Sequence, residues 1–295
     1  MDINYELYKV FYHVANTLSF SEASKQLFIS QSAVSQSIKV LEKKLNQPLF
    51  IRSTKRVQLT PEGEILLKHI EPAMNLIKQG ENQLLEANTL NGGQLRIGAS
   101  DTICRYYLIP YLKEFHRKYP NVHIKVTNQT SIACAKLLES GQVDFAITNY
   151  PNSGLSNTQN VRIIHEFHDV FAANDEYGSL RGKTVTLKEL QTCPILMLDR
   201  KSTTSEFLHS MFQRHQLDLV PEIELSSNDL LLDLADIGLG IAFVPDFCLA
   251  RAGGDLFQIP LKATLPTRQL ALAYSDKMPI SNAAKQFIQY FSQNS

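Results

Sequence analysis

No uninterrupted apolar run in this sequence approaches the ~20 residues that a helix needs to cross a bilayer, which argues against a membrane partner. The opening residues, Met1-Asp2-Ile3-Asn4-Tyr5, carry neither a basic stretch nor an apolar core of the kind an export signal uses, so a cytoplasmic location is expected. Cysteine is scarce: Cys104, Cys134, Cys193 and Cys248 stand far apart, with no CxxC spacing. Scattered thiols of this kind read as small buried hydrophobes in a reducing compartment. A redox-sensing pair is the sharper alternative, and Cys104 and Cys134 are its candidates because one subdomain should hold both.

Catalytic patterns are missing too. The eight histidines form no HExxH or other short chelating pair, so neither a metal nor a cofactor is expected. Gly98-Ala99-Ser100 resembles half of a nucleophile elbow, but Thr102 stands where the closing glycine belongs. Gly238-Leu239-Gly240 lacks the third glycine of a dinucleotide fingerprint and falls after a helical pattern and before a strand, the reverse of the required order. A tight helix-to-strand turn explains it better. An enzyme is therefore not expected.

What is present begins at residues 19–45. Val34, Ile38, Leu41 and Leu45 recur at steps of four, three and four, which places them on one helical stripe. Ser32, Ser35, Gln36, Lys39 and Lys43 occupy the opposite face. A helix anchored by one side, with short polar groups and lysines on the other, fits a DNA major groove. An ordinary amphipathic surface helix would share this pattern, but the neighbouring residues favour the first reading. Ser19 and Glu22 have the spacing of a capping box, so a preceding helix starts there. Ala23 is small where two helices should approach, and Leu27 should face their shared core. Phe28-Ile29-Ser30 is a turn short enough for a helix-turn-helix, and the Ser30 hydroxyl can cap the next helix. Upstream, Leu7, Phe11, Val14 and Leu18 form the apolar stripe of a first helix.

Residues 48–52 and 57–59 read as two short strands around the polar turn Ser53-Thr54-Lys55-Arg56, a β-wing with cations at its tip. Lysine and arginine total 29 in the chain, and aspartate and glutamate also total 29. Over residues 1–60, however, Lys9, Lys25, Lys39, Lys43, Lys44, Arg52, Lys55 and Arg56 face only Asp2, Glu6, Glu22 and Glu42. This local excess points to a polyanion, although a solvated basic surface would look the same by charge alone. Thr60-Pro61 then starts a long helix, with a capping hydroxyl and a proline at its first position. Leu66, Ile70, Ala73, Met74, Ile77, Leu84 and Leu85 form a seam of roughly heptad spacing. Packing on its own chain would cover such a seam, but a second copy is favoured because the helix has little of its own to lie against. Gly80 weakens the seam, and Asn91-Gly92-Gly93 should end the helix.

The run LSFSEASKQLFISQSAVSQSIKVLEKKLNQPLFIRSTKRVQLTPEGEILL closely resembles the N-terminal winged helix-turn-helix of LysR-type bacterial transcriptional regulators. The resemblance rests on an alanine in the second helix, S-Q-x-A-x-S, L-E-x-x-L, P-L-F-x-R and L-T-x-x-G. It implies double-stranded promoter DNA as a partner, with Ser30, Gln31, Ser32, Ser35, Gln36 and Lys39 near bases or phosphates. Arg52, Thr54, Lys55 and Arg56 would follow the backbone in the adjacent minor groove. Two positions depart from the pattern: Ser32 stands where proline is common, and Gln36 where arginine is common. A glutamine reads adenine where an arginine would read guanine, so the target sequence does not carry over. The resemblance also implies an antiparallel helix pairing that makes a dimer or a dimer of dimers, and RNA polymerase as a further partner.

Beyond residue 92 strands and helices alternate. Strand patterns fall at 94–100, 122–127, 143–149, 170–173, 194–198, 222–225 and 241–244, with helices between them, which argues for α/β subdomains with mostly parallel sheets. Hydroxyls and amides gather where strands give way to helices: Ser100-Asp101-Thr102, Asn128 to Ser131, Asn149, Ser202-Thr203-Thr204 and Ser226-Ser227-Asn228. Such residues are also the usual helix caps, and capping alone explains most of them one at a time. In an open α/β topology, though, helix N-termini converge on a cleft and favour an anionic ligand. Arg200 and Lys201 could neutralise a carboxylate, while Asp101 would repel one unless paired.

The family resemblance specifies more. It implies a winged helix-turn-helix over 1–60, a linker helix over 61–91, and a bilobal effector domain over 92–295 resembling periplasmic solute-binding proteins. Subdomain I would comprise about 94–163 and 269–295, and subdomain II about 164–268. It also implies that Ser100, Thr102, Thr130, Ser202, Thr203 and Phe247 line a small-molecule effector site, with Asp101, Asn128, Ser131 and Asn149 beside them. An exported solute-binding protein would share the bilobal fold but would lack the first ninety residues.

Overall fold

The computed structural model describes residues 3–52, 56–87, 93–156, 159–276 and 278–291, with backbone alone at Arg52 and residues 85–87. Thr54, Lys55, Asn91 and Gly92 lie outside the described residues. The chain divides into two compact units, one built by residues 1–88 and the other by the bulk of residues 89–295.

The first unit opens with three helices, α1 (Tyr5–Thr17), α2 (Phe20–Leu27) and α3 (Gln31–Leu45). Phe11, Val14, Ala23, Val34, Ile38 and Leu41 meet in one core, joined from the edge by Leu7, Leu27 and Leu45. Ala23 is fully buried, as close approach of two helices requires. Leu18 departs from its expected stripe. The helix ends at Thr17, Leu18 takes a left-handed cap conformation (φ 48°), and its side chain is exposed. The capping box of α2 is half made: Ser19 Oγ accepts the Glu22 N–H at 3.2 Å, while the Glu22 carboxylate turns to Lys25 at 3.4 Å.

Strands β1 (Phe50–Arg52) and β2 (Val57–Leu59) pair antiparallel, Phe50 opposite Leu59. Helix α4 (Pro61–Ala87) follows, and Thr60 Oγ1 accepts the Gly63 N–H at 3.0 Å at its start. The apolar seam of α4 divides. Leu66 and Ile70, with Leu67, pack on the core of their own winged helix, whereas Ile77 and Leu84 stay exposed. The seam is thus partly used within its own unit.

The second unit contains two five-stranded sheets. Its elements are β3 (Gly93–Ala99), α5 (Asp101–Ile103), a π-helical turn (Cys104–Leu108), α6 (Ile109–Lys118), β4 (Val122–Asn128), α7 (Ser131–Glu139), β5 (Phe145–Tyr150), β6 (Gln159–Phe167) and β7 (Asp169–Ala173). A 3-10 helix (Asp175–Leu180) leads to α8 (Leu187–Leu190), β8 (Ile195–Leu198), α9 (Thr203–Arg214), β9 (Ile223–Leu225), α10 (Asn228–Asp236), β10 (Ile241–Pro245), α11 (Asp246–Leu249), β11 (Phe257–Ile259), β12 (Arg268–Ser275) and α12 (Asn282–Gln289). The first sheet has the order β4-β3-β5-β12-β6, the second β11-β7-β10-β8-β9.

The expectation of mostly parallel sheets needs correction. Among the described pairings, β3 with β4, β3 with β5, β10 with β8 and β8 with β9 are parallel, but β12 with β5, β12 with β6, β10 with β7 and β11 with β7 are antiparallel. The cause is topological: β6 carries the chain out of the first sheet, and β12 returns beside it in the opposite direction. Helices cover both faces of each sheet, so β5 is buried over its first four residues and β10 throughout, and β10 reads as a continuous apolar run. Gly238 turns from α10 into β10 with φ +83°, and a Cβ at Gly240 would meet the Pro194 carbonyl at 2.6 Å, which explains the glycine pair without any nucleotide.

Candidate functional sites: recognition helix and interlobe cleft

In the first unit, the α2–α3 turn is set by Phe28, whose left-handed conformation (φ 54°) ends α2 and leaves its ring exposed. Ser30 then caps α3: its Oγ accepts the Ala33 N–H at 3.2 Å and shares a 2.9 Å hydrogen bond with Ser32 Oγ. Gln31, Ser32, Gln36, Lys39 and Lys43 are exposed together on the face opposite the buried stripe, and Ser35 is half-buried at its margin. The wing is tied to this helix through Glu42, whose Oε1 accepts the N–H groups of Leu49 (2.9 Å) and Phe50 (3.2 Å). Arg56 is exposed where β2 begins, and the backbone of Arg52 ends β1. The tip residues Thr54 and Lys55 fall outside the described residues. Lys9 and Lys25 pair with Glu6 (3.7 Å) and Glu22 (3.4 Å) on their own helices.

In the second unit a cavity of about 270 Å³ opens between the two sheets. All ten residues expected there line it: Ser100, Asp101, Thr102, Asn128, Thr130, Ser131, Asn149, Ser202, Thr203 and Phe247. Arg200 and Lys201 do not reach it; Arg200 instead lies 4.0 Å from Glu224. Several lining residues do cap helices, as their types suggest. Ser100, Thr130 and Ser202 accept backbone N–H groups from Ile103 (3.3 Å), Ala133 (3.3 Å) and Ser205 (3.0 Å). Capping and cleft lining are thus the same fact seen twice. A cap oxygen that accepts a backbone N–H keeps its own O–H free to donate into the cavity.

Two hydrogen bonds span the cavity from lobe to lobe. Asn149 Nδ2 donates to Thr203 Oγ1 at 3.1 Å, and Asn228 Nδ2 donates to Thr102 Oγ1 at 2.9 Å. Asp101 is held by the Asn128 amide at 3.1 Å. Phe247 supplies an apolar wall, with its ring 5.3 Å from Phe167 and 6.0 Å from Tyr106. Sequence reasoning missed Asp199 at the end of β8; Thr204 and Asn228, which it grouped with the candidate cleft residues or helix caps, also line the cavity. It also missed Arg268, buried behind Thr203 and Thr204. No local pattern marks an arginine at the first residue of a returning strand.

Cys104, Cys134 and Cys248 are poorly suited to redox sensing. Burial pushes Cys104 up to about 11 and Cys134 up to about 12, and it raises Cys248 as well, so each stays a protonated, weakly nucleophilic thiol at neutral pH. All four cysteines are free. Among the described residues no group of acidic, histidine and cysteine side chains could hold a metal, and no helix is long and apolar enough to cross a membrane.

Residues 5–64 match the family "Bacterial regulatory helix-turn-helix protein, lysR family", and residues 88–295 match the "LysR substrate binding domain". The chain belongs to the LysR family. As a LysR-family member it is a DNA-binding transcriptional regulator with an effector-binding domain, not an enzyme. It is 30% identical over 278 residues to a probable RuBisCO transcriptional regulator of Trichormus variabilis, covering 92% of this chain and 82% of the relative. Full-length CbnR in complex with its target DNA has the same fold (TM-score 0.68, 18% identity, 99% of this chain and 100% of that one). So does the regulatory domain of CcmR from Synechocystis in complex with 2-PG (TM-score 0.63, 21% identity, 69% of this chain and 98% of that one).

Proposed function

We propose that this LysR-family regulator binds promoter DNA as a dimer, or a dimer of dimers, and reads a small oxyanionic effector in its interlobe cavity. The observation that carries the effector reading is the convergence of ten polar and aromatic residues, from both lobes, on one cavity lined by capping hydroxyls. Helix N-termini and O–H donors favour a ligand rich in acceptor oxygens. The CcmR regulatory domain, which has the same fold, is in complex with 2-PG, and this supports a small-molecule effector here.

On the DNA side, Ser30, Gln31, Ser32, Ser35, Gln36 and Lys39 would meet the major groove. Arg52, Thr54, Lys55 and Arg56 would follow the flanking backbone. The exposed Ile77 and Leu84 would pair α4 with a second copy. An effector that binds one relative arrangement of the lobes more tightly than another would shift the spacing of the paired recognition helices along the promoter. RNA polymerase would be contacted by the DNA-bound assembly, which works in the cytoplasm.

The test is a thermal-shift screen of the full-length protein against small organic acids, amino acids and inorganic anions. Oxyanions should raise the unfolding midpoint of the wild type, and less so that of Ser202→Ala and Thr203→Val. A flat screen, or equal shifts in wild type and variants, would remove the cavity from the effector reading.

A further inference from the structure

Arg268, the first residue of β12, is buried behind the cavity and does not line it. Its guanidinium lies between the rings of Phe167 (5.3 Å) and Phe207 (5.0 Å). From there Nη1 donates to Asp169 Oδ2 at 2.6 Å and to Thr204 Oγ1 at 3.0 Å, and Nη2 donates to Thr203 Oγ1 at 3.3 Å. Guanidinium has donors only, so both threonine oxygens can only accept from it. Thr203 Oγ1 also accepts from Asn149 Nδ2 at 3.1 Å. With both lone pairs engaged, its O–H must donate elsewhere. Among the described residues neither threonine hydroxyl finds an acceptor, and both threonines line the cavity.

We propose that Arg268 is a positioning residue for effector binding: through Thr203 and Thr204 it fixes two hydroxyl donors, and these give that end of the cavity its selectivity for a carboxylate or phosphate oxygen. This inference rests on the cavity being the effector site. The positive charge itself never reaches the ligand, because Asp169 neutralises it in the interior. Such a site ranks ligands by acceptor geometry more than by net charge, in keeping with Asp101 and Asp199 in its lining.

Calorimetric titration of the full-length protein with inorganic phosphate, and separately with acetate, tests this in a double-mutant cycle. Arg268→Lys keeps the charge beside Asp169 but loses the planar fork that reaches both threonines. Arg268→Lys and Thr203→Val should each weaken binding by about tenfold, and the double variant should be no weaker than the poorer single one, because the two act in series. Thr203→Ser, which retains the hydroxyl, should bind as the wild type does. The arm that binds more tightly identifies the oxyanion as phosphate or carboxylate. If neither anion binds the wild type, the oxyanion class is wrong and the proposal falls with it. Equal binding by wild type and Thr203→Val would overturn the cavity reading as well. If Thr203→Val weakens binding but Arg268→Lys lowers only the unfolding midpoint, or the two losses multiply, Arg268 is structural and this proposal alone fails.

Discussion

Asn228, at the start of α10, reaches across the cavity and donates from Nδ2 to Thr102 Oγ1 at 2.9 Å. Together with the Asn149–Thr203 bond it latches the two lobes directly. A ligand filling the cavity competes with these latches or builds on them. Asn228→Ala should therefore change effector affinity while costing the fold about 1 kcal/mol, the usual size of one net hydrogen bond. Calorimetry and urea unfolding on the same samples separate the two effects.

The logarithm of the promoter-DNA binding constant should fall linearly with the logarithm of salt concentration. Each of Lys39→Ala and Arg56→Ala should reduce that slope by about one if its cation meets a phosphate. Gln36→Ala should instead lower discrimination between sequences and leave the slope unchanged. Fluorescence anisotropy at several salt concentrations reads both quantities, and a slope untouched by either cation would remove that residue from the interface.

Ile77→Asp and Leu84→Asp should convert a dimer to monomers without unfolding the winged helix, since both side chains stand exposed on α4 at 58% and 70%. Light scattering after size exclusion gives the mass. By contrast, Phe11→Ala empties a site at the centre of the helix-turn-helix core, 5.5 Å from the Phe50 ring, and should destabilise that unit by about 3–5 kcal/mol.

Burial and nearby Arg200 push the His209 imidazole below its ordinary pKa, and its Nε2 is buried without a partner. The unfolded imidazole titrates near ~6.5, so the unfolded chain binds this proton more tightly than the folded one. This contribution to stability is complete above that pH and is lost as pH falls through the folded value. His209→Gln should flatten the decline in urea midpoint on acidification; an unchanged decline would assign it to other groups.

Iodoacetamide should label Cys104 and Cys134 slowly at neutral pH, and faster only as the pH climbs toward about 11 and about 12 respectively. Peroxide treatment should leave DNA affinity as it was. A loss of binding on oxidation would restore the redox alternative.

Features written in short-range pattern were legible in the sequence. Val34, Ile38 and Leu41 announce their helix because burial recurs with its turn, and Ser30 or Ser202 announces a helix start because a cap acts over three residues. Leu18 misled because a stripe continues to match for one residue after the helix has ended. Half of the seam on α4 was misassigned because Leu66 and Ile70 meet their own core, a contact no periodicity reports. Strand β11 was not read as a strand, since it has only three residues. Arg268 stayed hidden for a further reason: its partner Asp169 lies 99 residues away, and nothing local to either foretells the meeting.

Strand β12 lies between β5 and β6, although some hundred residues of chain separate it from either. During synthesis, the lobe whose first strand leaves the ribosome earliest is therefore the last to be completed. Until residues 268–275 emerge, no strand links β5 to β6, and Thr203 lacks its buried arginine. The winged helix, made wholly from early residues, can fold well before this. A nascent chain of this regulator can thus own a finished DNA reader while it still has no cavity through which to be told anything.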